Sequence, residues 1–217
     1  MKSDSQIQKD VLDELLWEPS VHAAEIGVEV HEGVVTLAGH VNSYAEKFQA
    51  EQAAQRVSGV KALAMEIDVK LVGSSKRTDA EIAASVESAL QWTNFVSKDS
   101  VKVMVEKGLV TLSGDVDWDY QRLAAVTAIR FLRGVKGIND QISIKPKVAV
   151  AAVKADIEAA LKRRAHTDSH AISVSVKGQA VTLSGKVHSW SERDLAATSA
   201  WGTAGVYQVI NNIELIS

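Results

Sequence analysis

The chain has 217 residues, of which 46% are hydrophobic and 24% are charged, and its net charge is −3. This composition is typical of a soluble globular protein and excludes a disordered or collagen-like chain. The sequence contains no cysteine, which excludes disulfides, thiol nucleophiles and thiolate metal sites. The slightly acidic balance argues against nucleic acid as a partner. Length alone predicts one large domain or two modest ones.

The chain start and its apolar runs bear on location. No apolar run approaches the ~20 residues of a membrane-spanning helix, so no transmembrane segment is expected. The first six residues, Met-Lys-Ser-Asp-Ser-Gln, contain no apolar signal-peptide core. These features predict a cytoplasmic protein; the alternative is a periplasmic one from which a signal peptide has been removed.

A seven-residue block recurs three times, at 35–41, 110–116 and 181–187, and its second copy reads Val-Thr-Leu-Ser-Gly-Asp-Val. The offsets are 75 and 71 residues, and a Gly-Val pair follows the glycine of each block by 20 residues. Apolar positions from 7 to 67 align under the same offsets without a gap. Such self-similarity indicates repeated domains. We therefore predict three repeats and one linker, at 1–72, 73–77 (the linker), 78–147 and 148–217.

Each repeat begins with a predicted helix. Ile7, Val11 and Leu15 recur every four residues, which is the spacing of one helix face, and the later repeats keep this pattern. In the second repeat, Thr78 and Glu81 have the spacing of a capping box, which marks a helix start.

Two strands, a second helix and a third strand are predicted to follow. Apolar residues alternate at 26, 28 and 30 and again at 35 and 37, the period of a half-buried strand. A tight turn with Gly33 or Gly108 separates these strands; in the third repeat Gly178 falls one place earlier, which predicts a different turn type. The alanine-rich stretch 45–57 predicts a helix, and 62–70 predicts a strand. The fold class is α+β: three tandem α-β-β-α-β repeats, each a three-stranded mixed sheet with two helices on one face.

Six glycines recur at two positions of the repeat. One position is expected to end a strand and the other to end a helix, where a positive φ or a close approach favours glycine. We predict a structural role for all six, which are Gly39, Gly59, Gly114, Gly134, Gly185 and Gly205.

The block at 110–116, its two copies, the later Gly-Val pairs and the run Asn211-Asn212-Ile213 together resemble the BON domain, named after bacterial osmotically inducible and nodulation proteins. The resemblance covers nearly the whole chain. It implies binding rather than catalysis, with phospholipid surfaces, osmotic or envelope stress and sometimes small ligands or ions as the associated roles. It supplies no catalytic set and no cofactor.

Two groups of residues are candidates for contact with a partner. Lys162, Arg163 and Arg164 end the first helix of the third repeat, where they either complement the helix C-terminus or contact anionic lipid. Trp118, Phe131 and Trp201 stand where another repeat has a polar or small residue, which predicts an interface with a neighbouring repeat, a second subunit or lipid. Trp17 and Trp92 lie just past the first helix and are expected to pack.

A metal or catalytic site has little support. His166 and His170 have a four-residue spacing, and Asp168 is the available third ligand, but solvated loop residues are the favoured interpretation. No Ser/His/Asp set recurs between repeats. We therefore expect no enzyme, metal or cofactor but a stress-related binding or scaffold protein that contacts phospholipid headgroups or protein partners. A cytoplasmic small-ligand or ion sensor and a self-assembling module, including a homo-oligomer, are the alternatives.

Overall fold

The computed structural model describes residues 2–93, 100–145, 156–160, 172–203 and 205–216. The helices are α1 (Asp4–Trp17), α2 (Tyr44–Arg56), α3 (Asp79–Trp92), α4 (Asp119–Ile129), α5, described over 156–160, and α6 (Trp190–Trp201). The strands are β1 (Ile26–His31), β2 (Val34–Val41), β3 (Ala62–Val69), β4 (Val101–Glu106), β5 (Leu109–Val116), β6 (Gly137–Ile144), β7 (Ile172–Lys177), β8 (Ala180–Val187) and β9 (Gln208–Leu215). The predicted α-β-β-α-β order is confirmed.

Each repeat has its own three-stranded sheet, with the second strand of the repeat in the middle. The first two strands are antiparallel and the second and third are parallel, so each sheet is mixed, as predicted. Connection length explains the two pairings. A two-residue turn brings the chain straight back beside itself, whereas a helical crossover returns it in the same direction.

The core of each repeat lies between its helices and its sheet. In the first repeat Ile7, Val11 and Leu15 on α1 are at most 3% exposed, and they cluster with the inward residues of β2. Ala50 on α2 is fully buried, as is its equivalent Ala125 on α4. A methyl side chain at this position allows the second helix to lie close to the sheet.

The hairpin turns differ between repeats, as their glycine positions predict. Glu32 and Gly33 have φ values of 51° and 80°, and Lys107 and Gly108 have 52° and 83°. Two successive positive φ values define a type I′ turn. In the third repeat Gly178 occupies the first turn position with a φ of 62°. Among the described residues, positive φ outside glycine occurs only at Glu32 and Lys107, so Gln179 does not share it and the turn type changes.

An aspartate at the start of the first helix holds the type I′ turn in place. Both oxygens of Asp79 accept hydrogen bonds from the backbone, at 2.8 Å from Lys107 N and 2.9 Å from Gly108 N. Asp4 does the same for Glu32 N and Gly33 N, at 2.8 and 3.0 Å. These bonds satisfy both backbone amides of each turn. They thereby hold Glu32 and Lys107 in the left-handed region, which residues other than glycine rarely occupy. No pattern in the sequence predicts this role of the two aspartates.

The first set of repeated glycines lies inside a strand, which corrects the expectation that it ends one. Gly39 pairs with Ile26, and β2 continues for two more residues. Its φ is 134°, and a Cβ there would lie 2.1 Å from the carbonyl oxygen of Glu25. Gly114 has a φ of 129° and the same distance to Ser100 O, and Gly185 has a φ of 136°. The strand bends where only glycine fits.

The second set of glycines follows the second helix. Gly59, Gly134 and Gly205 have φ values of 99°, 92° and 83°. A Cβ on Gly134 would lie 2.8 Å from Cγ1 of Ile82, so the loop passes directly over the first helix.

The three repeats contact one another through their second helices. The Arg130 guanidinium lies 3.6 Å from the centre of the Phe48 ring, and Tyr44 packs against the core of the second repeat. Trp201 packs against the cores of the second and third repeats. Trp190 Nε1 donates to Val60 O in the first repeat at 3.1 Å. Each repeat therefore touches both of the others.

Candidate functional site

The C-terminal end of the first helix carries an exposed tryptophan in each of the first two repeats. Trp17 ends α1 with its side chain 80% exposed, and Trp92 ends α3 with its side chain 85% exposed. The expected packing role of these tryptophans is therefore wrong. The apolar face of each helix ends at Leu15 or Leu90, and the next two residues turn away from the core. Because the tryptophan is the last residue of its helix, the spacing of apolar residues does not show whether its side chain is buried or exposed.

In the first repeat, charged residues surround the tryptophan. Arg56 donates through Nε to Glu14 Oε1 at 2.7 Å and through Nη2 to Glu18 Oε2 at 3.1 Å. Trp17 lines an open groove with these three residues and Pro19. We call this surface the charged end of repeat one.

In the second repeat the same surface is apolar. Phe131 stands at the position of Arg56 and is 62% exposed, and Ala89 stands at the position of Glu14. Trp92 lines an open groove of about 510 Å³ with Ala89 and Leu132, the residue that follows Phe131. We call the groove residues Trp92, Ala89 and Leu132, together with the exposed Phe131 that precedes Leu132, the apolar end of repeat two; Ser85 and Ser88 also line the groove.

The third repeat has Arg163 at the sequence position of Trp92. The basic candidates Lys162, Arg163 and Arg164 lie outside the described residues. The same position is therefore Trp in the first and second repeats and Arg in the third.

The three predicted interface aromatics lie in different surroundings. Trp118 is 38% exposed, and its ring centre lies 6.5 Å from that of Tyr120. Phe131 belongs to the apolar end of repeat two. Trp201 is half-buried between the cores of the second and third repeats. The structure does not bring the three side chains together into one surface.

Several of the described ionisable groups have structural partners. Glu46 is 5% exposed; its Oε1 accepts from His22 N at 2.8 Å and its Oε2 from Asn42 N at 2.9 Å. His22 Nδ1 also lies 2.8 Å from Glu46 Oε1. Burial acts to raise the pKa of Glu46, but the hydrogen bonds from His22 and Asn42 outweigh it and the pKa lies below its usual value. Gln121 occupies the same position in the second repeat and caps Asp117 N and Trp118 N.

A cation also recurs at one position of the second helix. Lys47 Nζ donates to Ile67 O at 2.7 Å, and Arg122 pairs with Asp119 and Asp140 at 2.6 and 2.7 Å. Arg193 Nη2 reaches Asn211 O at 3.5 Å. Each side chain joins its helix to the neighbouring third strand, which is a structural role that the sequence reasoning did not identify.

Metal ligands do not gather in the described part of the chain, where no group of three His, Asp or Glu side chains is placed to hold an ion. The predicted loop pair His166 and His170, with Asp168, lies outside the described residues. None of the described helices combines the length and apolar composition that crossing a bilayer requires.

Comparison with known proteins gives a consistent family. The BON domain family matches residues 3–70, 78–146 and 149–217. The chain is 30% identical over 146 residues to osmotically-inducible protein Y of Escherichia coli (strain K12), covering 65% of this chain and 73% of that protein.

Two solved structures show only a distant likeness. One is the C-terminal domain of CdsD, a structural protein of the type III secretion system of Chlamydia trachomatis, with 13% identity, full coverage of both chains and a TM-score of 0.26. The other is the periplasmic domain of the inner membrane protein PrgH from S. typhimurium, with 13% identity, 88% and 99% coverage and a TM-score of 0.22. Scores this low support no argument about the present chain. Two findings assign the family: the three sequence matches to the BON domain and the 30% identity to osmotically-inducible protein Y. This chain therefore belongs to the BON domain family and has three such domains in tandem.

Proposed function

We propose that the chain is a non-enzymatic binding protein that attaches to phospholipid surfaces through the apolar end of repeat two. The observation that carries the proposal is the exposure of Trp92 and Phe131, at 85% and 62%, on one end of one repeat. Tryptophan and phenylalanine are the side chains that proteins insert at the boundary between headgroups and acyl chains. Large aromatic side chains left in water indicate a surface that is covered in use.

Charge favours the second repeat over the first. The first repeat has 12 acidic and 6 basic residues, whereas the second has 9 of each. An acidic repeat is repelled by anionic lipid, and at Trp17 two carboxylates flank the exposed ring. The basic run 162–164 in the third repeat is the further candidate for headgroup contact, since its sequence position matches that of Trp92.

The physiological setting is proposed from the relative. The name of osmotically-inducible protein Y links that protein to osmotic induction. We propose a role in osmotic or envelope stress for this chain as well. A structural role is shown for Glu46 and Arg122, whose partners cap a helix and join a helix to a strand.

Vesicle co-sedimentation tests the proposal. The intact chain should sediment with phosphatidylglycerol vesicles, and Trp92→Ala or Phe131→Gly should weaken binding at least about tenfold, which corresponds to ~1.4 kcal/mol. Phe131→Gly is expected to preserve the fold because Gly202 occupies the equivalent position in the third repeat.

Trp17→Ala is the matched control, since it removes an equally exposed tryptophan from the charged end of repeat one. It should leave vesicle binding unchanged. Equal losses for Trp17→Ala and Trp92→Ala, or none for either, would argue against the proposal. A change of oligomeric state in Trp92→Ala without a change in vesicle binding would instead identify a protein interface.

A further inference from the structure

A second surface feature lies at the other end of α3. An open cavity of about 620 Å³ is bounded by the end of β3, the linker, the start of α3 and the turn at Lys107-Gly108. Its volume falls within the usual range for small-molecule sites, ~300–1,000 Å³. The start of α3 is about 20 Å from Trp92 by helix geometry. The cavity is therefore separate from the apolar end of repeat two.

The cavity is lined by five cations and one carboxylate: Lys70, Lys76, Arg77, Lys107, Lys136 and Asp79. Asp79 directs both oxygens to backbone amides, as described above. Arg77 Nη1 donates to the carbonyls of Ser74 and Lys76 at 3.2 and 2.7 Å, which are uncharged oxygens. The positive charge of the lining therefore exceeds its negative charge by a wide margin.

Ion pairs within the described residues do little to offset this charge. Lys107 Nζ lies 3.8 Å from Glu106 Oε1, with the two side chains 90% and 71% exposed, a geometry of little energetic value. The other four cations form no ion pair with a described carboxylate. Five like charges around one cavity repel one another, and this repulsion is relieved when an anion binds.

The first repeat shows that the fold does not require these charges. Its equivalent cavity, of about 430 Å³, has the same aspartate and turn but carries Glu32 where the second repeat has Lys107. Lys2, the equivalent of Arg77, is paired with Asp10 at 2.6 Å. The two cavities share a framework and differ in charge, so the cation excess belongs to the second cavity alone.

We infer that the cavity at the linker binds a compact anion with several phosphate groups. Lysine and arginine donate charge-assisted hydrogen bonds to phosphate oxygens, and several donors on three segments suit a ligand with more than one phosphate. Lys70 belongs to repeat one, Lys76 and Arg77 to the linker, and Lys107 and Lys136 to repeat two. A bound anion would therefore hold the first two repeats together.

Calorimetric titration of the intact chain with inorganic tripolyphosphate at low salt tests the inference. Lys107→Glu should weaken binding at least about tenfold. Glutamate is tolerated at this turn position, because Glu32 adopts a φ of 51° there. The matched control is Lys61→Glu, which makes the same charge change in the cavity of the first repeat, at the repeat position of Lys136. It should alter the affinity for tripolyphosphate by no more than about twofold.

A second arm with phosphatidylglycerol vesicles identifies the source of the phosphate. If Lys107→Glu weakens tripolyphosphate binding, the ligand is a soluble polyphosphate. If it weakens only vesicle binding, the cations act at a membrane surface and the inference of a ligand with several phosphates is overturned. The inference is overturned if neither depends on Lys107, or if Lys61→Glu and Lys107→Glu have equal effects. Trp92→Ala should leave tripolyphosphate binding unchanged, so the failure of the vesicle proposal and the failure of this one are distinguishable.

Discussion

At the residue scale, the strand glycines show how one backbone position constrains each repeat. Gly114 combines a φ of 129° with a backbone carbonyl 2.1 Å from the point where a Cβ would lie. No side chain fits there unless two strands separate. The recurrence of this glycine at 39, 114 and 185 could be read from the sequence. Its place inside a strand could not, because it depends on how Ser100, the residue before β4, approaches Gly114.

We therefore expect Gly114→Ala to lower the free energy of unfolding by about 3 kcal/mol, from backbone strain and displacement of the Ser100 carbonyl. Gly73→Ala is the control, since nothing lies within 4 Å of a Cβ at that position. Chemical denaturation of both variants provides the measurement. Equal stability of the two variants would show that the strand accommodates a side chain.

The buried Glu46 predicts a pH dependence. Its pKa in the folded chain is below the ordinary value of 4.5, so its carboxylate stabilises the fold above that pH, and this contribution is lost as the pH falls through the folded pKa. Glu46→Gln preserves an acceptor, as Gln121 does in the second repeat, but removes the titration. Denaturation from pH 6 to pH 3 should show a shallower loss of stability in the variant. Parallel profiles would exclude Glu46 as a source of acid sensitivity.

At the element scale, the amphipathic patterns were sufficient to predict the helices and strands. Alternating valines predicted the β1–β2 hairpin, and Ile7, Val11 and Leu15 predicted the buried face of α1. The hydrogen bonds from the backbone amides of Glu32 and Gly33 to Asp4 were not predicted. They join residues at least 28 positions apart, which meet only after the helix docks on the sheet. We call this pair of bonds, and the equivalent pair at Asp79, the aspartate clamp.

The candidate site was predicted only in part, for a related reason. Phe131 was identified because its equivalents are Arg56 and Gly202. Trp92 was assigned to packing, because sequence does not show which way a residue at a helix end points. Contact between Trp92 and the loop after α4 depends on tertiary packing.

The contribution of the aspartate clamp to stability can be measured in the second repeat. Asp79→Ala removes the acceptor of two hydrogen bonds from turn amides and should destabilise the second repeat by about 1 kcal/mol, because Gly108 is buried whereas the Lys107 amide is exposed and can bond to water. Adding Lys107→Gly should restore part of the loss, because glycine adopts the required φ without strain. Thermal denaturation of the single and double variants measures this. Absence of any rescue would mean that the clamp does not act through the turn.

At the scale of the whole molecule, contacts among α2, α4 and α6 bring each repeat into touch with the other two. Repeats of this size bury a modest fraction of their surface and gain stability from a neighbour. Trp201 is shared between two repeats, since it packs against the cores of both.

Trp201→Gln places at this position the residue found in repeat one, Gln55. It should lower the stability by about 3 kcal/mol and separate the unfolding of repeat three from that of repeats one and two in a calorimetric scan. Trp17→Gln, at an exposed site, should leave a single transition at an unchanged temperature. A single cooperative transition in Trp201→Gln would show that the repeats are coupled by other contacts.

The central proposal is that the apolar end of repeat two, and not the charged end of repeat one, meets the lipid. The absence of cysteine from the sequence permits a direct measurement, because one introduced thiol is the only one in the chain. Gln91→Cys places it beside Trp92, and Leu16→Cys places it at the equivalent point beside Trp17. With an environment-sensitive fluorophore attached, position 91 should shift to shorter wavelength on addition of phosphatidylglycerol vesicles, while position 16 should not. A shift at position 16 alone, or at neither, would contradict the account.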